Sequence, residues 1–160
     1  MNDNYLNTLI RELRAQQVRC APPVAQIEQS QRTEKLLAEL DASQNYTYGF
    51  LFERIIGLRP DSAANVKVSG EEARHDLRLF VEDLSDAANI DAALAGQRVL
   101  TTEELSQMFN VSTKTISRWR ELGLVSRRLV FDGRKRVGFL QSSIDRFVST
   151  NEDRVQRGAR

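Results

Sequence analysis

Apolar residues recur every three to four positions through most of this chain, and short polar or glycine-containing breaks separate the runs. Residues 5–19 place Leu6, Leu9, Ile10, Leu13 and Val18 on one helical face. Pro22 and Pro23 end that run, because proline lacks the N–H a helix interior needs and restricts the residue before it. Residues 24–40 read as a second helix with Ile27, Leu36, Leu37 and Leu40 to bury. The polar stretch EQSQRTEK between them predicts a one-sided helix, packed on a neighbour or on a second subunit. A turn at 41–45 precedes the densest aromatic set, Tyr46, Tyr48, Phe50 and Phe52, followed by Ile55 and Ile56. Gly57 as a C-cap, with Pro60 beyond it, favours a buried helix over a strand here. Residues 61–68 read as loop with at most a short extended piece. Ser69 and Glu72 then have capping-box spacing for a helix over 70–89. That helix sets Leu77, Phe80, Val81 and Leu84 against Glu71, Asp76, Glu82, Asp83 and Asp86, a face expected to be solvated.

The second half changes rhythm. Residues 91–98 are small and mark a boundary. Thr101 and Glu104 form another capping box, and Leu105, Met108 and Phe109 give a short helix its buried side. Asn110-Val111-Ser112 makes a turn with Val111 as an apolar plug. Ser112 caps a second helix over 113–122, with Ile116, Trp119 and Leu122 inward. Gly123 ends it with positive φ, and Leu124 returns to the core. Two short strands, 127–131 and 136–140, flank the Asp132-Gly133 turn, with Arg134 and Lys135 at or near the tip. Leu129, Phe131, Val137 and Phe139 are their packing positions. Ser142 or Ser143 caps a closing helix that buries Ile144, Phe147 and Val148, and residues 150–160 form a polar tail. The expected fold is mainly α: an acidic helical domain over 1–97, then a winged helix-turn-helix domain over 98–149 with a two-stranded β-hairpin wing.

Composition supports a folded protein, at 41% hydrophobic and 28% charged residues. No apolar run is long enough to cross a bilayer, so no membrane partner is expected. The N-terminus lacks the basic-then-apolar order of a signal peptide, which points to the cytoplasm. One cysteine, Cys20, and one histidine, His75, make no disulfide and no metal site, and no cofactor is implied. The net charge of +1 hides a split. Residues 1–97 carry 10 Lys/Arg and 15 Asp/Glu, whereas residues 98–160 carry 13 and 7. The polyanion partner therefore belongs to the second half.

On the second helix, Thr113, Lys114, Ser117, Arg118 and Glu121 are left for the exposed side, with Arg120 nearer the edge. Hydroxyls and cations in that pattern suit phosphates and base edges in a major groove. The hairpin adds Arg127, Arg128, Arg134, Lys135 and Arg136, cations that its packing does not require and a phosphate backbone would use. The aromatics at 46–52 read as core, since a base-stacking platform would interleave them with Arg and Lys. His75 and Asp76 are adjacent, and neighbours on a helix diverge by about 100°, so the pair is not expected to converge.

The stretch VSTKTISRWRELGLV resembles the core of the MerR and excisionase class of winged helix-turn-helix domains, through Val111-Ser112, Thr115-Ile116, Trp119 and Gly123-Leu124. The basic hairpin and short helix after it also match. The resemblance puts Thr113, Lys114, Ser117 and Arg118 on a DNA-reading helix and Arg134, Lys135 and Arg136 on a wing. Nothing after Phe147 matches the long dimerising helix of effector-binding MerR types, so a homodimer would form through the N-terminal helices. YTYGFLFERIIGLRP, HDLRLFVEDLSDAANI and the basic block together are similar to the N-terminal portion of sigma-70-type initiation factors of planctomycete bacteria. That likeness implies polymerase-binding and promoter-reading domains beyond Arg160, and a truncated or stand-alone relative here. The leading expectation is a non-enzymatic transcription protein that binds duplex DNA. The alternative is an interaction module whose acidic part docks on RNA polymerase or another transcription protein. No nucleophile-base pair, metal constellation or phosphate-binding glycine loop supports an enzyme.

Overall fold

The computed structural model describes residues 1–158, and the chain divides into two compact units, Met1–Ala88 and a second that begins at Asn89. Among the described residues there are eight helices, one two-stranded and one three-stranded antiparallel sheet. The protein is mainly helical, and no helix is long and apolar enough to cross a membrane.

The first unit runs α1 (Thr8–Cys20), α2 (Pro23–Leu37), β1 (Asn45–Thr47), α3 (Tyr48–Ile56), β2 (Lys67–Ser69) and α4 (Gly70–Ala88). Its core gathers Ile10, Leu36, Leu51 and Ile55 around Leu77 and Phe80 of α4. α1 starts three residues later than the apolar spacing predicts. The Asn7 side chain accepts from Leu9 N and Ile10 N and so caps the helix there, which leaves Leu6 outside it and exposed. Tyr46 and Thr47 belong to a strand, with Tyr46 opposite Val68, and only from Tyr48 does the aromatic stretch turn helical. The Thr47 hydroxyl caps α3 by accepting from Phe50 N at 3.2 Å.

α2 departs furthest from its expected packing. Gln29, Ser30, Thr33 and Glu34, from its polar stretch, are buried, as is Gln26 just before it. The two hydroxyls are satisfied within the helix, since Ser30 donates to the Gln26 carbonyl at 2.9 Å and Thr33 to the Gln29 carbonyl at 2.7 Å. Gln26 Nε2 donates to the Gln17 and Val18 carbonyls of the last turn of α1. Of the two packings expected for this helix, on a neighbour or on a second subunit, the structure shows the first, within its own unit.

The second unit runs through a single 3₁₀ turn (Ala92–Leu94), β3 (Val99–Thr101), α5 (Thr102–Phe109), α6 (Thr113–Leu122), β4 (Arg127–Phe131), β5 (Arg134–Leu140), α7 (Gln141–Thr150) and α8 (Glu152–Gly158). The boundary lies near residue 88 rather than 97, because Ile90, Gln97 and Arg98 bond to this unit. Val130 N donates to the Ile90 carbonyl at 2.8 Å along the outer edge of β4. The Gln97 side chain accepts from Ser142 N at 2.8 Å, and the Arg98 carbonyl accepts from Gln141 N. These two acceptors stand at the start of α7 in place of the expected serine cap; Ser143 is buried instead. The sheet has three strands, ordered β3-β5-β4, because Val99–Thr101 pairs with β5 before α5 begins. Residues 152–158 of the expected polar tail are helical. Val155 packs on the second core, and the Gly158 backbone lies so close to Trp119 that an added Cβ would sit 3.2 Å from Cζ2. The rest of that tail, residues 159–160, lies outside the described residues.

Candidate nucleic-acid interface

α5 and α6 meet through a three-residue turn. Thr101 accepts from Glu104 N at 3.2 Å, while the Glu104 carboxylate accepts from Thr101 N at 3.0 Å, completing the capping box. Asn110 adopts the left-handed conformation at φ 53°, which ends α5 and turns the chain. The Ser106 hydroxyl donates to the Val111 carbonyl, and Val111 N donates to the Ser106 carbonyl at 3.0 Å. Val111 is thereby locked into the core beside Leu105 and Ile116. Ser112 caps α6 by accepting from Thr115 N at 3.1 Å. Trp119 anchors the far end between Phe109, edge-on with centroids 5.7 Å apart, and Phe147 at 5.5 Å. Gly123, at φ 126°, lets Leu124 N donate to the Trp119 carbonyl and return to the core.

This packing orients α6. Thr113, Lys114, Ser117, Arg118 and Glu121 are all exposed on the side away from Ile116 and Trp119, and Arg120 is half-buried at the edge, its Nε donating to Ser126. Two expected core residues face water instead: Met108 is 43% exposed and Leu122 is 42% exposed. Phe109 and Trp119, packed edge to face, are the residues of these helix ends that join the core.

The hairpin separates its five cations. Asp132 at φ 51° and Gly133 at φ 83° form the two-residue turn, and Phe131 pairs with Arg134, so Arg134 and Lys135 stand in strand β5 rather than at a loop tip. Cross-strand partners share a sheet face, and neighbours along a strand alternate. Arg134 and Arg136 lie opposite Phe131 and Leu129, and both are exposed. Lys135 and Arg128 lie on the other face, which Phe139 and Val137 present to the second core, and both are half-buried. Arg127 is 5% exposed, against the expectation of an open wing cation. It sits in register with Gly138, and the Phe131 ring and Val99 close over that glycine, where an added Cβ would lie 2.8 Å from Phe131 Cζ. Arg127, Arg128 and Lys135 each have a partner within the chain. Lys114, Arg118, Arg134 and Arg136 are in no ion pair among the described residues.

The acidic helix of the first unit is built differently from the solvated face its sequence suggests. Asp76 and Asp83 have no exposed surface, and Glu82 is buried too. Asp76 accepts from Leu6 N and Asn7 N, both at 2.8 Å, and holds the chain just before α1. Asp83 accepts from the Tyr5 hydroxyl at 2.8 Å and from Asn2 N at 3.0 Å, with Arg14 Nε 3.8 Å away. Burial raises the Asp83 carboxyl above the usual carboxylate range, opposed by these hydrogen bonds. The Tyr5 phenol is raised as well, by burial and then by the Asp83 charge. His75 Nδ1 lies 2.8 Å from Asp76 Oδ1, so this adjacent pair does converge. The carboxylate swings toward the backbone of Leu6 and Asn7, and the imidazole follows it. Sequence spacing carries no signal of such a network, because its partners are 69 to 81 residues apart.

Comparison with protein-family models, with curated proteins and with solved structures finds no significant match to this chain.

Proposed function

We propose that the second unit is a winged helix-turn-helix module, similar to the MerR and excisionase class, and that the chain binds duplex DNA as a non-enzymatic transcription protein. The observation that carries this reading is the exposed, unpaired cation set: Lys114 and Arg118 on α6, Arg134 and Arg136 on the hairpin. Four long cations with no ion pair among the described residues contribute little to folding and leave their charge for a polyanion. In this reading α6 enters the major groove, where Thr113, Lys114, Ser117 and Arg118 meet base edges and phosphates, and the hairpin lies along the backbone. Arg134 and Arg136 make the wing contacts, whereas Arg127 serves packing and Arg128 and Lys135 serve it in part. A role like that of a sigma-factor N-terminal module, with RNA polymerase as a second partner, is the extension of the same reading. Docking through the acidic helix alone has less support, because Asp76 and Asp83 already hold residues 2–7 of their own unit. A homodimer through α2 has less support for the same kind of reason, since its buried face is spent inside the unit.

The test is binding of random-sequence duplex DNA by fluorescence anisotropy across a salt series. Each phosphate contact contributes a slope of about 0.9 in log affinity against log salt. The double variant Arg134→Ala, Arg136→Ala is expected to flatten the slope by about 1.8 if both residues touch phosphate. Folded protein that fails to bind at low salt, or an unchanged slope in the variant, overturns the assignment.

A further inference from the structure

Glu121 is out of place on a surface that binds phosphate. It is exposed on the same side of α6 as Lys114, Ser117 and Arg118, and it forms no hydrogen bond or ion pair among the described residues. It also lies in the last turn of α6, where the helix dipole disfavours a negative charge. The carboxylate thus opposes both helix stability and attraction to DNA, and no hydrogen bond or ion pair among the described residues offsets this. A group with those two costs has a use if it meets a hydrogen-bond donor on the ligand.

The spacing says where that donor would be. Lys114, Ser117, Arg118 and Glu121 are related as i, i+3, i+4 and i+7, so they form one stripe along the helix. The same spacing is used by the groove-reading helix of homeodomains. At 1.5 Å per residue the stripe is about 10 Å long, which is about three base-pair steps. In the major groove, only cytosine N4 and adenine N6 present amino donors, and a carboxylate pairs with the cytosine donor. Adenine places the N7 acceptor beside its donor, which repels a carboxylate and suits an amide.

We infer that Glu121 is a specificity-determining residue, accepting a hydrogen bond from a cytosine N4 amino group at one end of the α6 footprint. Arg118, one turn earlier, is placed to read a guanine through O6 and N7. The inference rests on the DNA-binding reading above and adds to it a G·C-containing target. Its charge sign is what makes it selective: guanine, thymine and a phosphate offer the carboxylate no donor, and at adenine the N7 acceptor stands beside the donor.

The experiment is selection of binding sites from a random duplex pool with the full chain, repeated with Glu121→Ala and Glu121→Gln. Glu121 is exposed, so both variants are expected to fold, which far-UV circular dichroism checks. The wild type is expected to prefer cytosine roughly tenfold at one position. Glu121→Ala should lose the preference at that position alone, and Glu121→Gln should shift it toward adenine. A wild-type pool with no cytosine preference, or one that survives unchanged in Glu121→Ala, overturns the inference and leaves DNA binding standing. No enrichment of any duplex at low salt overturns the DNA-binding reading and this inference with it.

Discussion

Replacing Gly70 with alanine separates what local preference says about this chain from what its packing says. Gly70 is the first residue of α4, where alanine gains at most the about 1 kcal/mol over glycine that it has in a helix interior. The surroundings reverse the sign. A Cβ at Gly70 would lie 2.0 Å from the Asp41 carbonyl oxygen and 2.8 Å from that of Gln44. Both are backbone atoms, and Gly70 N already donates to the Gln44 carbonyl at 2.7 Å. Neither can yield by a rotamer change. The 41–45 turn must move by more than 1 Å (roughly, to restore ordinary contact), which breaks that bond and disturbs the pairing of Asn45 with Ser69. Overpacking against rigid backbone costs about 3 kcal/mol and the lost hydrogen bond about 1, less about 1 from helix propensity, for a net of about 3 kcal/mol. In a unit of this size that lowers Tm by roughly 12–24 °C. Thermal unfolding followed by far-UV circular dichroism reads the change. Gly96→Ala is the comparison: its φ is +79° with nothing within 4 Å, so it costs only about 1 kcal/mol. A Gly70→Ala protein as stable as wild type, or no worse than Gly96→Ala, would refute the close approach of α4 to the turn.

Two further outcomes follow from the same packing. The Asp83 carboxyl is raised by burial, so the folded state holds its proton more tightly than the unfolded chain does. Its stabilising contribution is complete below the unfolded carboxylate range, about pH 4, and is lost as pH rises through the folded value. Asp83→Asn cannot ionise and should gain in Tm relative to wild type as pH climbs from acid toward neutral; a difference that stays flat or runs the other way contradicts the assignment. On α6 and α5, Leu122→Lys and Met108→Gln should change stability by no more than about 0.5 kcal/mol, whereas Ile116→Ala should cost about 2–5 kcal/mol. Urea titration distinguishes these, and a large loss in Leu122→Lys would return that residue to the core.

How much of this was readable beforehand depends on the range of each interaction. The starts of α5 and α6 at Thr101 and Ser112, the turn at Asp132-Gly133, and the helix ends at Gly57 and Gly123 all follow from groups within four residues of one another. Caps and tight turns are decided by local hydrogen bonds and by which residues tolerate positive φ, so residue order alone determines them. The exposed row Thr113, Lys114, Ser117, Arg118 and Glu121 follows too, because Ile116 and Trp119 leave a ten-residue helix only one way to turn. What only the tertiary structure decided are the polar exceptions. Asp76 and Asp83 look like solvent-facing acids until residues 2–7 return to them, and α2 looks too polar to bury until α1 accepts its glutamine. Arg127 looks like the other hairpin cations until the tertiary structure buries it. Burial of a polar group depends on a partner that satisfies it, and those partners lie far along the chain, where periodicity carries no information.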